Sequence, residues 1–86
     1  MNLDEIKSSI VTNVYHIPKD KVVALHAHPK HDEIFYCIKG EGFGVLEASE
    51  VVLSIGKEFI VPAGIKHALR SESDLYVTSF LIPVIE

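Results

Sequence analysis

Four side chains that commonly bind metals lie within eight residues of the sequence: His26, His28, His31 and Glu33, in HAHPKHDE. Alternate side chains of a β-strand share one face, so a strand through His26 and His28 would place both imidazoles on one side, about 6.7 Å apart. The segment PKHD contains residues that favour a turn. Glu33, at the start of the next strand, can face the same interior. This pattern predicts a mononuclear metal site that a fourth ligand from a distant strand would complete.

The predicted fourth ligand is His67, in the segment IKHALR. Strand periodicity places Ile65 and Leu69 on the face of His67. The charged residues Lys66 and Arg70 fall on the opposite face, which indicates that the imidazole points inward. An isolated histidine on an apolar face is more often a hydrogen-bonded core residue. His67 is therefore a candidate ligand only in combination with His26, His28 and Glu33. These donors suit divalent iron, manganese, nickel, copper or zinc, and spacing does not select among them.

Three further side chains are weaker candidates for this site. His31 has the parity of Glu33 and could replace it or His28, but a position just after Pro29 in a turn favours the rim. His16 falls on the first strand or its end, at the surface or in the core. Cys37 lies four residues beyond Glu33, roughly 13 Å along an extended strand, which is too far to share a metal. We interpret it as a small buried hydrophobe, with a reactive thiol as the alternative.

The elements that must position these residues are short β-strands. Runs rich in Val, Ile, Phe and Tyr are separated by turn signals such as KGEG, IGK, PAG and SESD, a pattern typical of a sandwich or barrel. The segment LDEIKSSI has helix-like spacing and could be a helical turn, a capping strand or a partly disordered terminus. The predicted strands are approximately Ile10 to Ile17, Lys21 to His28, Glu33 to Lys39, Phe43 to Leu46, Val51 to Ser54, Glu58 to Val61, Lys66 to Ser71 and Leu75 to Ile82.

Length and composition limit the classes of function. The 86 residues predict one domain over positions 1–86. A formal charge of −4 without a basic stripe argues against nucleic-acid binding. No apolar run approaches the roughly 20 residues of a membrane span, and the acidic start MNLDEIKSSI is unlike a secretory signal. We therefore expect a cytoplasmic protein that does not insert into membranes. The single cysteine agrees with a reducing compartment.

Two linked motifs make the sequence resemble the cupin superfamily, specifically its small single-domain members. The resemblance covers about residues 21–82. It implies a six- to eight-stranded antiparallel jelly-roll β-barrel (a double-stranded β-helix) and one divalent transition metal bound by His26, His28, Glu33 and His67. The matching positions are His26, His28, Glu33 and Gly40 in HAHPKHDEIFYCIKG, and Gly56, Pro62, Gly64 and His67 in GKEFIVPAGIKHALRS.

The sequence departs from the family motifs at two positions. Asp20 stands where the first motif opens with Gly, and Ser71 where the second ends with Asn. Both residues suit turns and lie outside the ligand set, so the departures concern loop geometry. Pro62 and Gly64 predict a tight reversal, with Gly64 at positive φ, that aims His67 into the barrel.

The expected site is a metal in an apolar pocket lined by Phe35 with some of Phe43, Phe59 and Phe80. Thr78 is the most plausible inward polar group besides the ligands. With no separate acid or base evident, the metal would carry any chemistry. The resemblance suggests a dioxygenase, isomerase or decarboxylase acting on a small organic molecule. The alternatives are a metal-dependent binding or sensory module without turnover and a closed structural metal site.

A second apolar face predicts a homodimer. On the strand from Glu33 to Lys39, Ile34, Tyr36 and Ile38 lie opposite the inward residues. Val23, Leu25 and Ala27 are likewise expected opposite the ligand face of their strand. Since one barrel has one interior, a second copy would cover this face. The alternative is that the N-terminal segment covers it through Leu3, Ile6 and Ile10.

Overall fold

The computed structural model describes residues 2–85, which form one short helix and six strands. The predicted KGEG and SESD turns do not separate strands, so eight predicted strands become six. The elements are α1 (Leu3–Ser9), β1 (Val11–Ile17), β2 (Val22–Leu25), β3 (His31–Val45), β4 (Glu50–Leu53), β5 (Glu58–Val61) and β6 (His67–Pro83).

The N-terminal segment is helical, one of the three alternatives that its sequence left open. The side-chain oxygen of Asn2 caps α1 by accepting the Glu5 N–H at 2.9 Å, and Asp4 and Glu5 place negative charge at the positive end of the helix dipole. No residue of α1 is buried. The helix therefore adds little to the core.

The long strands β3 and β6 organise the fold. They pair antiparallel, from His31 opposite Pro83 to Val45 opposite Ala68. β6 also pairs with β1 and β2, and β3 with β5 and β4. These strands form two layers. The first layer consists of β1, β5, the second half of β6 and the first half of β3. The second layer is β2, the first half of β6, the second half of β3 and β4. This is the antiparallel jelly-roll fold that the sequence predicted.

A bend in the β3–β6 pair turns one layer over the other. The pairing register shifts between Cys37 and Gly42, and Gly40 and Asp74 have positive φ values of 85° and 34°. A Cβ on Gly40 would lie 2.2 Å from the Asp74 carbonyl oxygen, so a side chain is excluded where the backbones approach. The segments KGEG and SESD thus bend two continuous strands, because bulges curve a strand without ending it.

The core lies between the two layers. Its close packing is clearest at Gly44, where an added Cβ would meet the Phe59 ring of the other layer at 2.3 Å. Phe59 joins Phe35 inside, whereas Phe43 and Phe80 are half-buried. The buried hydrophobic residues are Ile17, Phe35, Cys37, Leu53, Phe59, Val61, Leu69, Leu75 and Val77.

Two predictions about which side chains face inward are wrong. Thr78 is half-buried and donates to the Asn13 carbonyl, while its neighbour Ser79 is buried, because alternate residues face opposite sides. Val23 and Leu25, expected opposite the ligand face, pack against the core. Leu25 pairs directly with His67, so both side chains lie on the inner side of the second layer.

The outer face of the first layer carries exposed apolar side chains. Val14, Tyr36, Ile38 and Ile60 are 69%, 44%, 49% and 54% exposed. α1 therefore leaves these four residues uncovered, and they define the apolar sheet face.

Candidate metal centre

The candidate centre lies at the open end of the jelly roll, opposite the bend. Here β2 ends at Leu25, β3 begins at His31 and β6 begins at His67. Glu33 is the third residue of β3 in the first layer, whereas His67 is the first residue of β6 and pairs with β2 in the second layer. A contact between Glu33 and His67 therefore joins the two layers.

Two histidine nitrogens converge on one oxygen of Glu33. The Nε2 atom of His67 lies 2.9 Å from Glu33 Oε1, and the Nε2 atom of His28 lies 3.8 Å from the same oxygen. The side chains of His67 and Glu33 are 1% and 3% exposed, and that of His28 is 34% exposed. A buried carboxylate thus faces two imidazoles, one from the interior and one from the rim.

The orientation of the His67 ring is fixed on its other side. Its Nδ1 lies 3.0 Å from the Ile65 carbonyl oxygen, to which an Nδ1–H donates. The rings of Phe35 and Phe59 pack around it, with centroids 5.5 and 6.5 Å away. These contacts direct Nε2 towards Glu33. Metal-binding histidines commonly donate their second ring N–H to a carbonyl or carboxylate in this way.

The turn Pro62–Gly64 connects the segments that carry the three side chains. Gly64 has a φ of 82°, as predicted, and its N–H donates to the His28 carbonyl at 2.8 Å. The Ala63 N–H donates to the Asp32 carboxylate at 2.8 Å. Sequence reasoning missed Asp32, because its partner is 31 residues away along the chain. Asp32 anchors this turn against the start of β3.

His26 lies just beyond the end of β2. β2 ends at Leu25, and His26 is exposed in the connection that follows, so the strand alternation assumed for His26 and His28 is wrong. Within residues 2–85, no group of three or more His, Cys, Asp or Glu side chains has the geometry of an assembled metal site. The structure thus brings His28 and His67 into contact with Glu33 without forming an assembled metal site, and His26 lies on the adjoining connection.

The remaining candidates lie away from the Glu33 carboxylate or on the rim. His31 is half-buried at the start of β3, opposite Pro83. His16 is a surface residue that stacks on Tyr76 at 4.2 Å and contacts the Asp74 carboxylate at 3.1 Å. Cys37 is buried, and that burial raises the pKa of its thiol. It is the buried hydrophobe that the sequence indicated.

Comparison with known proteins decides the family. The model of the cupin domain family matches residues 13–83, most of the sequence. The chain belongs to the cupin family. No curated protein sequence matches this cupin at a significant level. Within residues 2–85, no helix is long and apolar enough to span a bilayer.

Solved structures share the cupin fold. KdgF from a Halomonas species is 26% identical, with a TM-score of 0.76 over 88% of this chain and 71% of its own. A predicted oxalate decarboxylase from Thermotoga maritima is 21% identical, with a TM-score of 0.81 over 98% and 76%. A mutant salicylate 1,2-dioxygenase from Pseudoaminobacter salicylatoxidans is 18% identical, with a TM-score of 0.77 over 84% and 20%. The last two likenesses show the fold alone.

Proposed function

We propose that residues 1–86 form a single metal-binding cupin domain that acts on a small organic molecule at the open end of its barrel. One divalent transition metal would be held by His26, His28, Glu33 and His67. The observation that carries this proposal is the convergence of the His28 and His67 Nε2 atoms, at 3.8 and 2.9 Å, on a single buried oxygen of Glu33.

The donor set fits a metal on the chemistry of its contacts. Because His67 Nδ1–H donates to the Ile65 carbonyl, the ring nitrogen facing Glu33 is the one available for binding. That nitrogen lies 2.9 Å from a carboxylate oxygen of Glu33, so a cation bound here would contact both ligand atoms. Two imidazoles and a carboxylate suit iron, manganese, nickel, copper or zinc. When bound, such a metal supplies Lewis acidity or binds substrate and oxygen.

The chain itself would orient the metal-binding side chains and exclude water from them. Phe35 and Phe59 exclude water around the His67 imidazole. Asp32 and the Pro62–Gly64 turn hold the His28 segment against the start of β3. His26 would reach the metal through movement of the connection between β2 and β3.

We favour an enzyme of the dioxygenase, isomerase or decarboxylase type. The names of two structural neighbours, a predicted oxalate decarboxylase and a salicylate 1,2-dioxygenase, refer to reactions of small organic acids. A second candidate is a binding or sensory module without turnover, because the jelly roll hosts many functions. A closed structural metal site is the third.

The discriminating experiment is elemental analysis of protein purified without added metal, followed by oxygen uptake with diketones, thiols and phenolic acids. Near-stoichiometric redox metal with substrate-dependent uptake would support an oxygenase. Stoichiometric metal with no uptake would favour an isomerase, a decarboxylase or the binding module. Tetrahedral zinc that resists chelators would indicate the structural role.

We also propose that the protein is a cytoplasmic homodimer. The apolar sheet face (Val14, Tyr36, Ile38 and Ile60) exposes four large hydrophobic side chains on β1, β3 and β5 of the first layer. α1 leaves them exposed, which removes the intrachain cover considered from the sequence. A self-complementary contact between two copies would bury them.

Light scattering on wild type and two variants tests the dimer. We expect a dimeric mass at micromolar concentration, and a monomeric mass for the double variant Tyr36→Glu, Ile38→Glu. Val52→Glu provides the control, because Val52 is an exposed apolar residue of the second layer, at 62% exposure. A monomeric wild type, or equal dissociation in both variants, would refute the proposed interface.

A further inference from the structure

A cleft of about 340 Å³ opens in the second layer, at the start of β6. It is lined where the end of β3 pairs with the start of β6, and by the connections next to these strand ends. The lining residues are Val45, Leu46, Glu47, Lys66, His67 and Ala68. The His67 imidazole is 1% exposed and faces Glu33, so the cleft touches this residue without opening onto the Glu33 carboxylate. The volume of the cleft suits a small molecule.

The cleft combines apolar walls with two separated charges. Val45, Leu46 and Ala68 are half-buried, whereas Lys66 and Glu47 are exposed. Across residues 2–85, neither Lys66 nor Glu47 takes part in an ion pair within 4.0 Å. Arg70 and Glu50 form an ion pair with each other at 2.7 Å. The cleft therefore presents one cation and one anion to a ligand.

We propose that this cleft binds a small aliphatic acid whose carboxylate pairs with Lys66 and whose hydroxyl or ammonium group donates to Glu47. The apolar walls would contact the carbon skeleton. The proposal goes beyond the proposed function and does not depend on it. The contacts to Lys66 and Glu47 themselves need no metal.

The test is an NMR titration of 15N-labelled protein, metal-free and zinc-loaded, with L-lactate, L-alanine and the uncharged L-lactamide. Lactate and alanine should shift the amide signals of residues 45–47 and 66–68 saturably. Lactamide should bind at least about tenfold more weakly, because hydrogen bonds to a charged partner are the stronger ones.

Matched variants assign the two contacts. Lys66→Met keeps the aliphatic stem and should weaken lactate binding about tenfold, whereas Lys30→Met, at the same end of the barrel, should not. Glu47→Gln should weaken alanine more than lactate if the ammonium is the preferred donor, and both equally if a hydroxyl serves as well. Equal binding by wild type and Lys66→Met, or shifts confined to other residues, would overturn the proposal.

The same measurements test the acid-binding cleft and the metal centre independently. Zinc content is measured on the same samples. Shifts in metal-free protein together with no zinc uptake would retain the acid-binding cleft and reject the metal centre. Zinc uptake without saturable shifts in either form would do the opposite.

Discussion

Replacing Glu33 by Gln should remove most of the thermal stabilisation that a bound metal gives. Glu33 is the group on which the Nε2 atoms of both His28 and His67 converge. Glutamine has the same shape but lacks the charge, so we expect zinc affinity to fall about 100-fold. This is the upper end of the range for losing a residue that hydrogen-bonds a metal ligand, and Glu33 would bind the metal directly. In metal-free protein the amide can still bond His67, and the cost should stay within about 1 kcal/mol.

The size of the effect follows from mass action. At free zinc 100 times the wild-type Kd, binding stabilises the folded state by about 2.7 kcal/mol. For a domain of this length that corresponds to a rise in Tm of about 10–20 °C. A 100-fold weaker site at the same zinc concentration gains about 0.4 kcal/mol, or about 2–3 °C.

Thermal unfolding followed by circular dichroism, with and without zinc, measures both values. Glu58→Gln is the matched control, because Glu58 is exposed on β5, which pairs with β3. The control should keep the full rise in Tm. An undiminished rise in Glu33→Gln would refute the role of this carboxylate.

Four further outcomes are expected. His28→Ala should lower metal content at least tenfold with an unchanged far-ultraviolet spectrum, while the surface variant His16→Ala keeps its metal. His26→Ala should also lose metal, and full occupancy there would reduce the ligand set to three. Acidification should release the metal as protons take the imidazole nitrogens, so retention at strongly acidic pH would argue against histidine ligation. Because burial raises the pKa of the Cys37 thiol, a thiol reagent at pH 8 should react slowly with native protein and fully in denaturant; rapid native reaction would contradict the buried position.

The sequence was sufficient for the fold and for the inward position of two site residues. Strand alternation around Glu33 and His67 placed both side chains inside, as observed. Alternation could not show that KGEG and SESD bend continuous strands. A bulge and a turn use the same residue types, and the pairing of β3 with β6 decides between them.

The prediction that the second strand continues through His26 to His28 is wrong for a related reason. Periodicity assumes that a strand continues, but the pairing of β2 with β6 ends at Leu25 opposite His67. Val23 and Leu25 therefore face the core, and His26 lies beyond the end of the strand. Asp32 was likewise not predictable, because its partner, the Ala63 N–H, is 31 residues away and is brought near only by the completed barrel.

The most direct test of the metal centre is anomalous diffraction from crystals of the metal-loaded protein. We predict one peak per chain, about 2.0–2.2 Å from the Nε2 atoms of His28 and His67 and from the Glu33 carboxylate, the usual range for nitrogen and oxygen ligands of zinc. A peak elsewhere on the chain, or no peak in crystals soaked with metal at saturating concentration, would contradict the proposal that these residues form the binding site.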